Sequence, residues 1–330
     1  MDELHQDSFT GLRVPEQPIG PRDFIKGQSL LGDLGSAVLL DSGDYRQYVC
    51  TGQEQGIHGV YDTDDCTGFG YCDRLATHMN CMAALGKLSK GFMDWATANN
   101  YIQSGSFMFD PQVLGIMAGT TVNGNWLQIV AEAARKNGLA PAGTLPGVAA
   151  YKNAADYYAE ALTDKAKSLC ADFKSRIDLP YQWDTAGSES DSLKAGPLYA
   201  ALTTCGGWNS DSPILWCNSG TATNHAVAEV ASDAILDSYK PFMKTLSSGY
   251  GIPYIMQVLV VELKGNSMQT IGFQLQGDQT VYVQVGSNLI AVADWQSFVN
   301  LGGSSNSVVT LTADQFAKFT VVSSDLFKSK

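Results

Sequence analysis

The stretch YIMQVLVVEL (residues 254–263) is apolar almost without a break. A continuous run of this kind reads as a strand in a buried position, and it is the strongest strand signal in the chain. Other strand candidates lie around it. HAVAEV (225–230) alternates like a half-buried strand, AILD (234–237) could pair beside it, and PILWC (213–217) is a third.

Helical spacing dominates the part before residue 206. Phe69, Leu75, Met79, Met82 and Leu85 recur at helical intervals, which predicts a helix from Cys66 to about Leu88 with Asp64 or Asp65 as N-cap. NWLQIVAEAARKN (125–137) predicts a second helix, closed by Gly138. Residues 154–175 predict a third and residues 193–202 a short fourth. Helices first and strands afterwards favour an α+β class over alternating βαβ units.

The 330 residues allow one large domain or two ordinary ones. Residues 1–45 are polar, carry three prolines between Pro15 and Pro21, and read as an irregular arm with one short strand candidate (Ala37–Leu40). The texture changes again from Met268 onward, where short strands alternate with Gly, Asn and Asp turns and a hairpin is expected around Gly286-Ser287. The expected organisation is an arm (1–45), a main domain (46–267) and a small C-terminal module (268–330) suited to binding or attachment.

The net charge is −12, and an acidic surface repels phosphate backbones, so no nucleic-acid partner is expected. No apolar stretch reaches 18 residues, and residues 1–7 lack the basic start and apolar centre of a signal peptide. The expectation is a protein without a membrane span, made and kept in a cytoplasm. Seven cysteines, an odd number without a signal peptide, argue for reduced thiols. No CxxC occurs and only four histidines exist, so neither a metal nor another cofactor is expected.

Cys66 opens the predicted helix, where unpaired N–H groups and the helix dipole favour thiolate. A histidine would have to carry the proton. His5 is in the arm and His58 in a loop. His78 is three turns along the same rigid helix, so His225 is left. Asp237 ends the next strand candidate, where its carboxylate could orient the imidazole; the alternative is that Asp237 and Ser238 simply begin a turn or cap.

These motifs resemble the papain-like cysteine peptidases. Cys66 is followed three positions on by Phe69, Asn224-His225-Ala226-Val227 matches the strand of the family's catalytic histidine, and Asp237-Ser238-Tyr239 stands where Asn-Ser-Trp is usual. Asp62-Thr63-Asp64-Asp65-Cys66, Gly124-Asn125, Gly138-Leu139-Ala140-Pro141 and Asp237-Ser238-Tyr239-Lys240-Pro241 are similar to a group of that family from bacteriophages. The resemblance spans roughly residues 45–265. It implies a helical lobe followed by an antiparallel β lobe with a cleft between them, and Cys66, His225 and Asp237 as nucleophile, base and orienter.

The family also uses a glutamine about six residues before the cysteine to stabilise the oxyanion. Val60 occupies that position here; Gln55 is the best substitute, with Gln53 second. Cys72, Cys81, Cys170 and Cys217 read as packed thiols, and Trp216 as a core residue or cleft lining.

Three functions compete. The first is a thiol-dependent peptide-bond hydrolase acting on a protein or peptide. The second is a papain-like structural or interaction protein of a phage particle, with phage proteins as partners and a relic site. The third comes from DDCTGF (64–69), which resembles the Asp-Cys-Ser-Gly-Phe motif of NlpC/P60 cell-wall peptidases; 159 residues between cysteine and histidine count against it.

Overall fold

A computed structural model describes residues 12–13, 38–57, 60–184, 189–204, 208, 214, 223–263, 272–277, 280–285, 288–291 and 308–322. The chain divides into two units, Met1–Glu262 and Leu263–Lys330.

In the first unit a small hairpin, β1 (Gly56–Ile57) and β2 (Tyr61–Asp62), leads into α1 (Cys66–Ala84). Asp65 is the N-cap of α1, its carboxylate accepting from the Gly68 N–H at 3.2 Å. The apolar residues of α1 suggest one buried stripe. In the fold every residue from Cys66 to Met79 is buried, including Asp73, Arg74, Thr77 and His78. A helix buried all round is a core element rather than a surface one. Arg74 is accommodated because its guanidinium donates to the Pro197 carbonyl at 2.7 Å and to the Val258 carbonyl.

Four further helices come next, α2 (Lys90–Ala98), α3 (Pro111–Met117), α4 (Leu127–Asn137) and α5 (Ala154–Ala159), with the small hairpin β3 (Ile102–Gln103) and β4 (Ser106–Phe107) between α2 and α3. The starts of α2 and α3 carry ordinary cap signals, Ser89 and Asp110-Pro111, that hydrophobic periodicity overlooked. Gly138 closes α4 at φ +79°, and a Cβ there would lie 2.0 Å from the Cys170 carbonyl oxygen, so only glycine fits. The helix expected over 154–175 is two helices, α5 and α6 (Asp164–Lys174). Glu160 is extended, and Thr163 restarts the helix by accepting from the Ala166 N–H.

Beyond α6 lie β5 (Ile177–Asp178), β6 (Tyr181–Trp183), α7 (Glu189–Ala195), β7 (Leu198–Leu202), β8 (His225–Ala231), β9 (Ala234–Leu236), β10 (Met243–Thr245), β11 (Tyr254–Val258) and β12 (Val261–Glu262). The short helix expected over 193–202 is instead the end of α7 followed by β7. Gly196-Pro197 separates them, since a residue before proline is pushed out of the helical region. The long strand expected over 254–263 splits into β11 and β12. Its partners β6 and β5 are interrupted at Pro180, which has no N–H for the ladder, and Leu259 N–H bonds the Pro180 carbonyl instead. Residues 38–40 form no strand; the Leu39 and Leu40 N–H groups both reach the Lys194 carbonyl.

Six strands form one antiparallel sheet in the order β10-β9-β8-β7-β11-β6. The expected half-burial of β8 is not found: all seven of its residues are buried. One reason is α1, which packs on β8 so closely that a Cβ at Gly70 would sit 3.1 Å from Ala226 O and from Val227 Cα. The other is a second apolar cluster that joins Val227 and Ile235 to Leu202, Trp208, Ile214 and Leu246. Helices concentrated ahead of an antiparallel sheet make the class α+β. Among the described residues no helix is long and apolar enough to cross a membrane.

The second unit contains β13 (Gly272–Leu275), β14 (Val281–Val285), β15 (Asn288–Ala291), β16 (Val308–Leu311) and β17 (Thr320–Val322), in the order β16-β13-β14-β15-β17. β14 and β15 pair antiparallel, as expected, while the Gly286-Ser287 turn lies outside the described residues. So do Trp216, Cys205, Cys217, His5, His58 and most of the arm; Leu12–Arg13 meets Asn125.

Candidate active site

The site is built where the start of α1 meets the start of β8. The register Leu202↔His225 and Ala228↔Leu236 fixes β8 between β7 and β9, and Asp237 follows β9 directly. His225 Nε2 lies 2.7 Å from Asp237 Oδ1, with both side chains fully enclosed. The His225 ring is flanked by Trp208 (5.6 Å between centroids, edge-on) and by Tyr239 (5.5 Å, tilted).

Asp237 is saturated with donors. Its Oδ1 also accepts from the Ser238 N–H at 2.7 Å, and its Oδ2 accepts from Trp208 Nε1 at 2.7 Å and from Lys244 Nζ at 2.9 Å. Burial alone would push its carboxyl up, but His225 and Lys244 outweigh burial and hold it below the usual range. Asp237 therefore stays ionised inside the protein.

Cys66 is fully buried. Its thiol lies against the backbone N–H of Ala226, the residue after His225, and this contact favours thiolate. Burial is the larger influence and pushes the thiol well up, with Asp65, Asp62 and Asp64 adding in the same direction. In this conformation burial favours the protonated thiol.

The acidic run before Cys66 has distinct roles. Asp65 caps α1 from a dry niche: its Oδ2 has no hydrogen-bond partner, and a Cβ at Gly68 or Gly115 would fall within 2.6 Å of its oxygens. Burial raises the Asp65 carboxyl well above its ordinary value, the Gly68 N–H opposing. Asp62 instead receives Gln55 Nε2 at 2.9 Å and the Tyr239 hydroxyl.

Gln55 is buried near the His225–Asp237 pair, its Oε1 accepting from Ser238 Oγ at 2.5 Å. Its two amide protons go to Asp62 and to Tyr239 Oη (2.6 Å), so donation to an oxyanion requires one of these to be released. Gln53 donates to the Phe109 carbonyl at 3.0 Å. His78 is bonded to Arg74 (2.9 Å) in the α1 interior, and Cys72, Cys81 and Cys170 are buried unpaired thiols like Cys50. Among the described residues no cluster of three or more His, Cys, Asp or Glu could hold a metal.

The segment between α4 and α6 covers this corner. Tyr158 donates to the Thr63 carbonyl at 2.9 Å, and burial pushes its phenol up with Asp65 and Cys66 adding. Tyr61 donates to the Val148 carbonyl. A cavity of about 390 Å³ opens alongside, lined among others by Gln53, Phe69, Gln112, Val148 and Tyr157.

Sequence reasoning missed Trp208, Lys244 and Tyr158. Each is a single residue in an unremarkable context, and only the tertiary fold brings them to Asp237 or Cys66.

No family model matches the sequence, and neither does the sequence of any curated protein. Among solved structures the chain is similar to xylellain, a cysteine protease from Xylella fastidiosa, at 13% identity and a TM-score of 0.48, over 76% of this chain and 97% of that one. It is similar to digestive procathepsin L 3 of Tenebrio molitor larval midgut, at 14% identity and a TM-score of 0.45, over 76% of each chain. A third similarity is to the bromelain protease of Ananas comosus in complex with the E64 inhibitor, at 15% identity and a TM-score of 0.43, over 66% of this chain and 97% of that one.

Proposed function

We propose that the chain is a papain-like cysteine peptidase in which Cys66 is the nucleophile, His225 the proton carrier and Asp237 the orienter. The observation that carries this reading is the buried His225–Asp237 hydrogen bond of 2.7 Å, one residue from the Ala226 amide that meets the Cys66 thiol. Lone packed histidines do not need an ionised carboxylate held by three further donors.

In the reaction, His225 takes the Cys66 proton as sulfur attacks a peptide carbonyl, and returns it to the leaving amine. Water then attacks the thioester, gives a proton to His225 and frees the acid. The Cys66 N–H at the start of α1 points donor capacity at the oxyanion, and Gln55 would supply the second donor after exchanging one of its present partners. Burial favours the neutral form of Asp65, which lessens its opposition to the thiolate. Displacing Tyr158 would admit water and substrate to Cys66.

A second reading, a papain-like binding protein with a silent site, is favoured by one observation: Cys66 has no exposed surface and a raised pKa. The phage-group motifs supply the only ground for a substrate or partner from a phage particle or a cell wall, and for placing the protein in a host cell or a virion.

A peptidyl epoxide separates the readings. Under the peptidase reading it marks Cys66 ahead of the other six thiols, and Cys66→Ala abolishes casein cleavage while Cys72→Ala leaves it. Uniform labelling, or cleavage that survives Cys66→Ala, would overturn that reading.

A further inference from the structure

Lys244 has no place in the sequence-level account of the site, yet it is one of the most completely buried cations among the described residues, its side chain 1% exposed. It lies on β10, in register with Ile235 of β9. Its ammonium has three protons and three acceptors: Asp237 Oδ2 at 2.9 Å, the Pro241 carbonyl at 2.6 Å and the Tyr239 carbonyl. The Nζ also stands 5.8 Å from the Trp208 ring centroid. No donor is left over, so the side chain is locked.

A carboxylate beside a buried imidazole stabilises the imidazolium, and the less water around it the stronger the effect. A histidine held too firmly in that form is a poor base. We propose that Lys244 is a positioning residue that cancels the charge of Asp237, so that Asp237 orients His225 as a neutral acceptor would. This rests on the reading of His225 and Asp237 as members of a catalytic triad.

The surroundings support the charge balance. From α1, Cys66 and Asp73 face the pair, and burial drives both toward their protonated forms. From β2, Asp62 is linked to the pair through the Tyr239 hydroxyl and through Gln55, which bonds Ser238. From β10, Lys244 is the single cation in direct contact with Asp237 among the described residues. Removing it leaves Asp237 facing His225 uncompensated.

Histidine-ring NMR titration of the full chain tests this without requiring activity. Lys244→Met should raise the His225 titration midpoint by about one pH unit. Asp237→Asn should lower it, because the Lys244 charge is then unopposed, and Asp237→Asn combined with Lys244→Met should bring it back to the wild-type value. If Lys244→Met does not fold, Asp237→Asn is compared with the charge-free Asp237→Asn, Lys244→Met variant: a higher midpoint in the latter supports the proposal, and equal midpoints overturn it. A Lys244 that only holds the hairpin together would lower the melting temperature, leave the Lys244→Met midpoint at the wild-type value and give Asp237→Asn the same midpoint with or without Lys244→Met, which would overturn the proposal. The rate of Cys66 alkylation against pH is measured alongside. A wild-type Cys66 inert at every pH refutes the peptidase reading, while the His225 midpoints still decide the role of Lys244.

Discussion

Asp65→Asn offers a direct test of how the start of α1 is arranged. Asp65 makes one acceptor bond, to the Gly68 N–H at 3.2 Å, and its second oxygen has no partner. Burial dominates and raises its pKa, so the native chain keeps a proton that the unfolded chain releases above about pH 4. Native protein then binds more protons than unfolded protein, and stability falls as pH rises from that point to the folded pKa. The slope for one full proton is about 1.4 kcal/mol per pH unit. Asparagine keeps the capping oxygen and removes the titration. Urea unfolding of both proteins at pH 5, 6 and 7 should show the variant gaining on wild type with rising pH, at up to that slope. Other buried acids such as Asp73 and Glu229 titrate in both proteins and cancel in the difference. A difference independent of pH would refute the reasoning and mean that Asp65 is ionised in its niche.

Gly70→Ala should destabilise by about 1–3 kcal/mol, since its Cβ would press on the β8 backbone at 3.1 Å, and it should slow Cys66 alkylation by moving α1 away from β8. Denaturant midpoints and labelling rates measured on the same samples check both effects. Tyr158→Ala should speed alkylation of Cys66 and leave Cys72 unchanged, as followed by mass spectrometry of the labelled peptides. Leu75→Ala, at a fully buried position of α1, should cost about 2–5 kcal/mol with an unchanged denaturant slope.

Local signals identified much of this protein. The helix beginning at Cys66, its aspartate cap, the helix closed by Gly138, and the strands at His225 and Ala234 are set by nearest-neighbour chemistry: cap hydrogen bonds, backbone conformation and hydrophobic period. Those signals also put a cysteine at a helix start and paired His225 with Asp237 across one turn. They failed where a partner elsewhere decided the outcome. The strand over 254–263 breaks because Pro180, some eighty residues earlier, interrupts the ladder beside it. β8 is buried on both faces because α1 and the Trp208 cluster cover it, which no period within six residues can show.

The electrostatics of the site belong wholly to the tertiary structure. Sequence places three aspartates next to Cys66 as if equivalent; the fold encloses Asp65 and ties Asp62 to Gln55 and Tyr239. It also delivers Lys244 and Trp208 to Asp237 and Tyr158 to the rim of Cys66. A side chain's charge state depends on desolvation and on neighbours distant in sequence. The amino-acid order by itself therefore singled out Cys66, His225 and Asp237 as candidates, and only the packed structure decided what surrounds each of them.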